Sequence, residues 1–181
     1  MRADALRNRD RLVSAAAALF GERGLDAPLD EVARRAGVSI GTLYNHFPNR
    51  GALLDAVLPD RLAEVDELAK TALADDDPWR GFTVFLDGVF VIQARDRAMN
   101  EAIARSPVGN VDVAADCGRA GGMLDAVAER ARTTGVLRPD FGPTDLATLI
   151  WAMSKVISMS GGDDAVWRRH LTFVLDGLRV T

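Results

Sequence analysis

From Ala5 to Arg23 no proline interrupts the chain, and Leu12, Val13, Ala16, Leu19 and Phe20 recur three or four residues apart, as on one face of a helix. Gly24 marks its end. Leu29, Val32, Ala33 and Ala36 outline a two-turn helix with Pro28 at its first position and Gly37 just past its end. Ser39 is placed to cap a third helix, Ile40 to Phe47, before Pro48 and Asn49 break the chain. A fourth runs from Arg50 to about Ala74, with Pro59 expected to kink it, and Asp75, Asp76 and Asp77 form a turn. Pro78 opens a helix to about Arg95 whose apolar residues spread around nearly the whole circumference, a pattern suited to the middle of a bundle. A short helix to Arg105, a loop from Ser106 to Asn110, a long helix to about Thr134, and helices Asp145 to Met159 and Asp163 to Arg179 complete the chain. No segment reads as a strand. The expected fold class is all-α, an N-terminal three-helix helix-turn-helix domain followed by a larger C-terminal helical bundle, about nine helices in total.

Composition narrows the picture. With 181 residues, 48% hydrophobic and 27% charged, the chain can bury a core, which excludes disordered and disulfide-stapled classes. Its one cysteine, Cys117, excludes an internal disulfide and a zinc site built on several cysteines, and it fits a reducing compartment, so a cytoplasmic location is expected. No signal peptide or membrane span is evident: the longest nearly apolar run, Phe82 to Ile92, is broken by Asp87. The net charge of −4 argues against a protein that coats nucleic acid. The charge is uneven, however. Residues 1–50 carry eight arginines against six acids, and Val32 to Arg50 holds Arg34, Arg35 and Arg50 with no carboxylate.

The stretch from Leu29 to Phe47 carries the candidate chemistry. Two short helices joined through a glycine turn form a helix-turn-helix: Ala33 lets the helices approach, Gly37 gives the turn its backbone freedom, and Val38 and Leu43 face a small core. The rest of the second helix presents Thr42, Tyr44, Asn45 and His46, whose hydroxyl, phenol, amide and imidazole bond phosphate oxygens and base edges, with Arg50 one turn beyond. Gly41 removes a side chain where a backbone could approach a base.

Residues 5–58 resemble the DNA-binding domain of the tetracycline-repressor-like (TetR/AcrR) family of transcriptional regulators. Arg9 to Gly24 is similar to the family's first helix, and Ala36-Gly-Val-Ser-Ile-Gly-Thr-Leu-Tyr-Asn-His-Phe-Pro-Asn-Arg50 to its most recognisable stretch. The resemblance implies phosphate contacts from Ser39, Thr42, Tyr44, His46 and Arg50, with Ile40, Gly41 and Asn45 nearest the bases. Arg50 stands where the family usually has lysine, and Ala27-Pro28 where a threonine or serine often caps the second helix. On this reading residues 1–49 are the DNA-binding domain and 50–181 the ligand-binding and dimerisation domain.

Other chemistries find less support. Gly37-Val-Ser-Ile-Gly41 fits the pattern of a hydrolase nucleophile elbow, but a charged helix precedes it where that elbow needs a buried strand. His46 and His170 lie far apart, no paired cysteine or H-E-x-x-H exists, and Gly118, Gly121 and Gly122 lack the strand and lysine of a phosphate loop. No metal, no cofactor and no catalytic residue is expected, and an all-α enzyme is disfavoured.

In the second domain, Thr83 and Asp87, four apart on an otherwise oily helix, either bond locally or anchor a small molecule. Trp79, Phe82, Phe85 and Phe90 are candidate aromatic lining, with Cys117 and Met123 as candidate neighbours. The last two helices carry more apolar residues than one bundle face requires, and Trp167, Leu171, Val174, Leu175 and Leu178 are the candidate dimer interface; in the resembled family these helices pair with their copies as a four-helix bundle. The expected partners are a double-stranded DNA operator, a small-molecule effector of unknown identity and a second copy of the chain, with no membrane. The expected function is a ligand-responsive regulator, most readily a repressor released from a pseudo-palindromic operator by a small molecule; an activator, or a regulator answering to a protein partner, is the alternative of the same fold.

Overall fold

The computed structural model describes residues 2–105, 118–161 and 163–180. Among them it has nine helices and no strand: α1 (Arg2–Arg23), α2 (Leu29–Ala36), α3 (Ile40–His46), α4 (Arg50–Ala74), α5 (Pro78–Arg95), α6 (Arg97–Arg105), α7 (Gly118–Thr133), α8 (Pro143–Met159) and α9 (Asp164–Leu178). The all-α expectation is met, as is the order of its helices. The expected loop from Ser106 to Asn110 and the start of the long helix lie outside the described residues, and so does Cys117. No helix among the described residues is long and apolar enough to cross a membrane.

The chain divides into two compact units, Met1–Arg61 with Asp96–Met99, and Leu62–Arg95 with Asn100–Thr181. The division therefore falls within α4 rather than at residue 49, and the first turn of α6 joins the first unit.

The core of the first unit follows from helical periodicity. Leu12, Ala16, Leu19 and Phe20 of α1 meet Val32, Ala33 and Ala36 of α2, Leu43 and Phe47 at α3, and Leu53 and Val57 of α4. Gly24 and Gly37, at φ of +85° and +69°, end α1 and α2 in the left-handed conformation that only glycine adopts readily. Pro28 is not the first helical residue of α2 but its extended N-cap, with no capping side chain. Asn49 is more than a chain breaker, since its Oδ1 accepts from Ala52 N at 2.9 Å and so caps α4.

In the second unit α5 packs against α7, α8 and α9. Phe82, Phe85, Leu86 and Phe90 are almost wholly buried, and Phe90 meets the edge of Trp167 with ring centroids 6.4 Å apart. The helix is not buried all round, for Val84 is 56% exposed. A Cβ at Gly81 would sit 2.6 Å from the Ala72 carbonyl and one at Gly88 2.9 Å from Leu68, so these glycines set the close approach of α4 and α5. Arg130 donates to the carbonyls of Ala72 and Asp75 and so satisfies the end of α4. An antiparallel bridge, invisible in the sequence pattern, joins Leu137 to Arg179: Arg138 N donates to Leu178 O and Val180 N to Val136 O.

Candidate nucleic-acid interface

The site is built on α3, whose two faces are sorted by one helical turn. Leu43 and Phe47 point inward, at 0% and 3% exposure, and fix the helix against α1 and α2. Ile40, Gly41, Tyr44 and Asn45 are all exposed, and positions i, i+1, i+4 and i+5 share one face. Thr42 and His46 flank it, half-buried. Ser39 caps the helix, accepting from Thr42 N at 3.1 Å, while its hydroxyl and that of Thr42 lie 2.9 Å apart. Hence Ser39 and Thr42 are held in place by each other, whereas Tyr44 and Asn45 project freely. A Cβ at Gly41 would meet nothing nearer than Ser39 Oγ at 3.9 Å, so the fold itself does not require a glycine there.

Arg50 is placed differently from the expectation. Its Nη1 donates to the carbonyls of both Leu25 and Ala27 at 2.6 Å, and its guanidinium lies 5.8 Å from the Phe20 ring centroid. The loop between α1 and α2 is therefore tied down by this side chain, which is half-buried rather than displayed. Arg34 and Arg35 are not free charges either: Arg34 pairs with Glu31 at 3.2 Å and Arg35 grips Glu22 through two hydrogen bonds of 2.8 Å. The Arg35 hydrogen bond holds the Glu22 carboxyl below its ordinary range.

Two arginines that the motif does not contain approach it from α1. Arg9 stacks over the Phe47 ring at 5.5 Å, and Arg11 lies against the turn at Gly37, where a Cβ would strike its guanidinium. Both are exposed. The only trace of them in the sequence is their place on the polar side of α1, and folding α3 against α1 is what brings them beside the motif.

Among the described residues, those expected to line a pocket in the second unit have other contacts. Phe82, Phe85 and Phe90 are core, and Trp79 stacks 5.9 Å from Phe82 and carries the Arg179 guanidinium on its other contact. Thr83 bonds locally, donating to Arg80 O at 3.1 Å. Asp87 accepts from Arg168 Nε at 3.1 Å with 43% of its side chain exposed, which makes it a surface ion-pair residue of α5 and α9. This pairing raises the Arg168 guanidinium above its already high ordinary value. Met123 is half-buried on α7.

Three of the five expected dimer residues are core in the protomer. Trp167, Leu171 and Leu178 are at 0%, 3% and 9% exposure, so the main apolar stripe of α9 fills the protomer's own core and offers no outward face. Val174 and Leu175 are half-buried. Among the described residues of α8 and α9, the large apolar side chains left exposed are Met159, Val166 and Phe173, at 87%, 50% and 59%.

Comparison with known proteins agrees with this geometry. Residues 12–57 match the family described as bacterial regulatory proteins, tetR family, and residues 77–180 match the C-terminal domain of SbtR-like transcriptional regulators. The HTH-type transcriptional repressor KstR of Mycolicibacterium smegmatis is 28% identical over 130 residues, 70% of this chain and 64% of that protein. The chain thus spans less than two thirds of that relative, and 59% of its counterpart from Rhodococcus jostii. A TetR transcription regulatory protein from Mycobacterium vanbaalenii is 32% identical, with 99% of both chains covered and a TM-score of 0.61. The regulator FadR of Bacillus subtilis, solved with stearoyl-CoA, shares the fold at 15% identity and a TM-score of 0.65, over 92% of this chain and 95% of that one. With both segments matched and their helices in the order this fold requires, the chain belongs to the tetR family of bacterial regulatory proteins.

Proposed function

We propose that the protein is a ligand-responsive transcriptional repressor that binds a pseudo-palindromic DNA operator as a homodimer and leaves it when a small molecule binds the second unit. The outward face of α3 carries the reading. Ile40, Gly41, Tyr44 and Asn45 are exposed together on a helix of the size that enters a major groove, and the fold gives none of them another task. Ser39, Thr42 and His46 at its margins, with Arg9 and Arg11 beside it, are in position for phosphates. Arg50 acts on DNA chiefly by holding the α1–α2 loop.

A second copy would pair through Met159, Val166 and Phe173, the outward apolar residues at the end of α8 and along α9. Ligand response is supported by the fold shared with FadR, whose structure holds stearoyl-CoA, and by α6, which has residues in both compact units. Asp96 at its head pairs with Arg61 in the first unit, and Asn100 one turn later donates to Ser154 O and Ser158 Oγ in the second. A ligand that favours one arrangement of α8 would act on the head of α6, and linkage makes DNA weaken ligand binding by the same factor. The reading assigns the protein no catalytic step and no cofactor.

Selection of bound sites from random DNA with the purified protein tests this. Two related half-sites with centres about one helical turn, roughly 34–36 Å, apart are expected. A pool with no enriched sequence would contradict the reading.

A further inference from the structure

Between α4 and α5, wholly within the second unit, runs an open groove of about 560 Å³. On α4 it follows Ala63, Glu67 and Thr71, four residues apart, for roughly 12 Å at the helical rise. On α5 it follows Gly88, Val91 and Arg95, three and four apart. Leu68, Val91 and Ile92 give it an apolar floor, with Ile92 at 4% exposure. Small residues keep it hollow: Ala63 brings one methyl group, and a Cβ at Gly88 would press on both Leu68 methyl groups at 2.9 Å. The charges of the rim are uneven. Glu64 and Glu67 stand on the α4 wall, and Arg95 on the α5 wall is the cation among the described residues that line the groove. Arg95 pairs with Glu64 from one wall to the other and so closes that end. Glu67 pairs with Lys70 of its own helix, outside the groove, at 72% and 60% exposure, where water screens the pair. Thr71, one turn on, donates its hydroxyl hydrogen to Glu67 O, which leaves its Oγ to accept.

We propose that this groove is the effector site and that the effector is an amphiphilic cation, a primary ammonium on an extended apolar body. This rests on the ligand-responsive reading above. The ammonium donates to the Glu67 carboxylate and to Thr71 Oγ, and the body lies from there over Leu68, Val91 and Ile92. Charge complementarity decides the class. A carboxylate head would have to take Arg95 from Glu64 and lie between two glutamates, and a neutral head would leave Glu67 to water. The apolar floor supplies the affinity, and the acidic wall selects the sign of the head. Both walls lead elsewhere in the molecule: α4 continues into the first unit, and α5 packs against α8. A molecule wedged between them therefore acts on the helix that connects to the DNA-binding unit and on the partner of α6.

Three probes on one skeleton test the proposal: octylammonium, octan-1-ol and octanoate, added to the full-length protein with labelled isoleucine, leucine and valine methyl groups and followed by nuclear magnetic resonance. Saturable shifts are expected at Leu68, Val91 and Ile92, with octylammonium bound at least about fivefold more tightly than octanoate at low salt and the preference shrinking as salt rises. Glu67→Gln is expected to reduce that preference and to leave octan-1-ol binding as it was. Ala63→Leu, which puts a larger side chain into the groove from an exposed position, is expected to weaken all three probes. Thr71→Leu repeats the block from the other end where Ala63→Leu folds poorly. Octanoate bound as tightly as octylammonium, a preference untouched by Glu67→Gln, or shifts confined to other methyl groups would overturn the assignment, as would no shift with any probe. Octylammonium is also expected to weaken operator binding in a fluorescence-anisotropy titration. A filled groove with operator affinity unchanged would remove its effector role. Failure of the ligand-free protein to bind DNA would sink the regulator reading, whereas the methyl shifts judge the groove alone.

Discussion

Arg61 of α4 and Asp96 at the head of α6 meet at 2.5 Å in the first unit, with side-chain exposures of 24% and 7%. Asp96 is also the cap of α6, its Oδ1 accepting from Met99 N at 3.0 Å. Arg61→Ala leaves a buried carboxylate without its cation, and the expected loss is about 3 kcal/mol, in the range of broken buried pairs. Asp96→Asn keeps the cap and removes the charge, so its loss is expected to be smaller. Urea unfolding followed by circular dichroism measures both. An Arg61→Ala protein as stable as the wild type would show that the pair holds nothing.

Gly41 separates folding from DNA binding in a single substitution. Since a Cβ there meets only Ser39 Oγ at 3.9 Å, Gly41→Ala is expected to leave stability unchanged or to raise it by up to about 1 kcal/mol, the helix preference of alanine. Operator affinity is expected to fall, because the added methyl group stands on the face that meets the bases. Unchanged affinity in the anisotropy titration would place Gly41 away from the DNA.

Losing two charge-assisted hydrogen bonds to the carbonyls of Leu25 and Ala27 is expected to cost Arg50→Ala about 2–3 kcal/mol of stability. Arg50→Lys is expected to fall between, since an ammonium lacks the planar fork of the guanidinium. Tyr44→Ala, at a residue 49% exposed, should stay within about 0.5 kcal/mol of the wild type. Urea unfolding in which Arg50→Ala and Tyr44→Ala prove equally stable would contradict this placement of Arg50.

Helix order, the helix-turn-helix and the core-facing Val38 and Leu43 were legible in the sequence because each depends on residues within one or two turns. What was not legible depends on contacts between distant segments. Arg50 reads as a charge after a helix until the α1–α2 loop folds back onto it. Trp167, Leu171 and Leu178 form an apolar stripe that suits a partner copy and the protomer's own core equally well; only the burial of Trp167 against Phe90 decides. Asp87 looked like a polar anchor in an oily helix because nothing local announces Arg168, eighty-one residues later. The groove between α4 and α5 escaped notice for the same reason, since Glu64, Glu67 and Arg95 read as charges on two separate helices until the fold sets those helices side by side.

Burial divides α9 into an inward side at Leu171 and an outward side at Phe173. Phe173→Asp places a charge on the outward face and is expected to yield folded monomers, whereas Leu171→Asp buries it and is expected to unfold the second unit. Sedimentation velocity with circular dichroism distinguishes them. A Phe173→Asp protein that remains dimeric would move the interface elsewhere.

If the exposed face of α3 reads DNA sequence, the Tyr44→Ala, Asn45→Ala double variant must lose operator affinity while staying folded. The selected site is titrated by fluorescence anisotropy at one fixed salt concentration, beside a scrambled site of equal length and with melting curves of both proteins. An unchanged melt is expected with a loss of at least about thirtyfold for the selected site, since each of the two contacts is worth roughly 1–3 kcal/mol, and little change for the scrambled one. Equal affinity of wild type and variant for the selected site would contradict it.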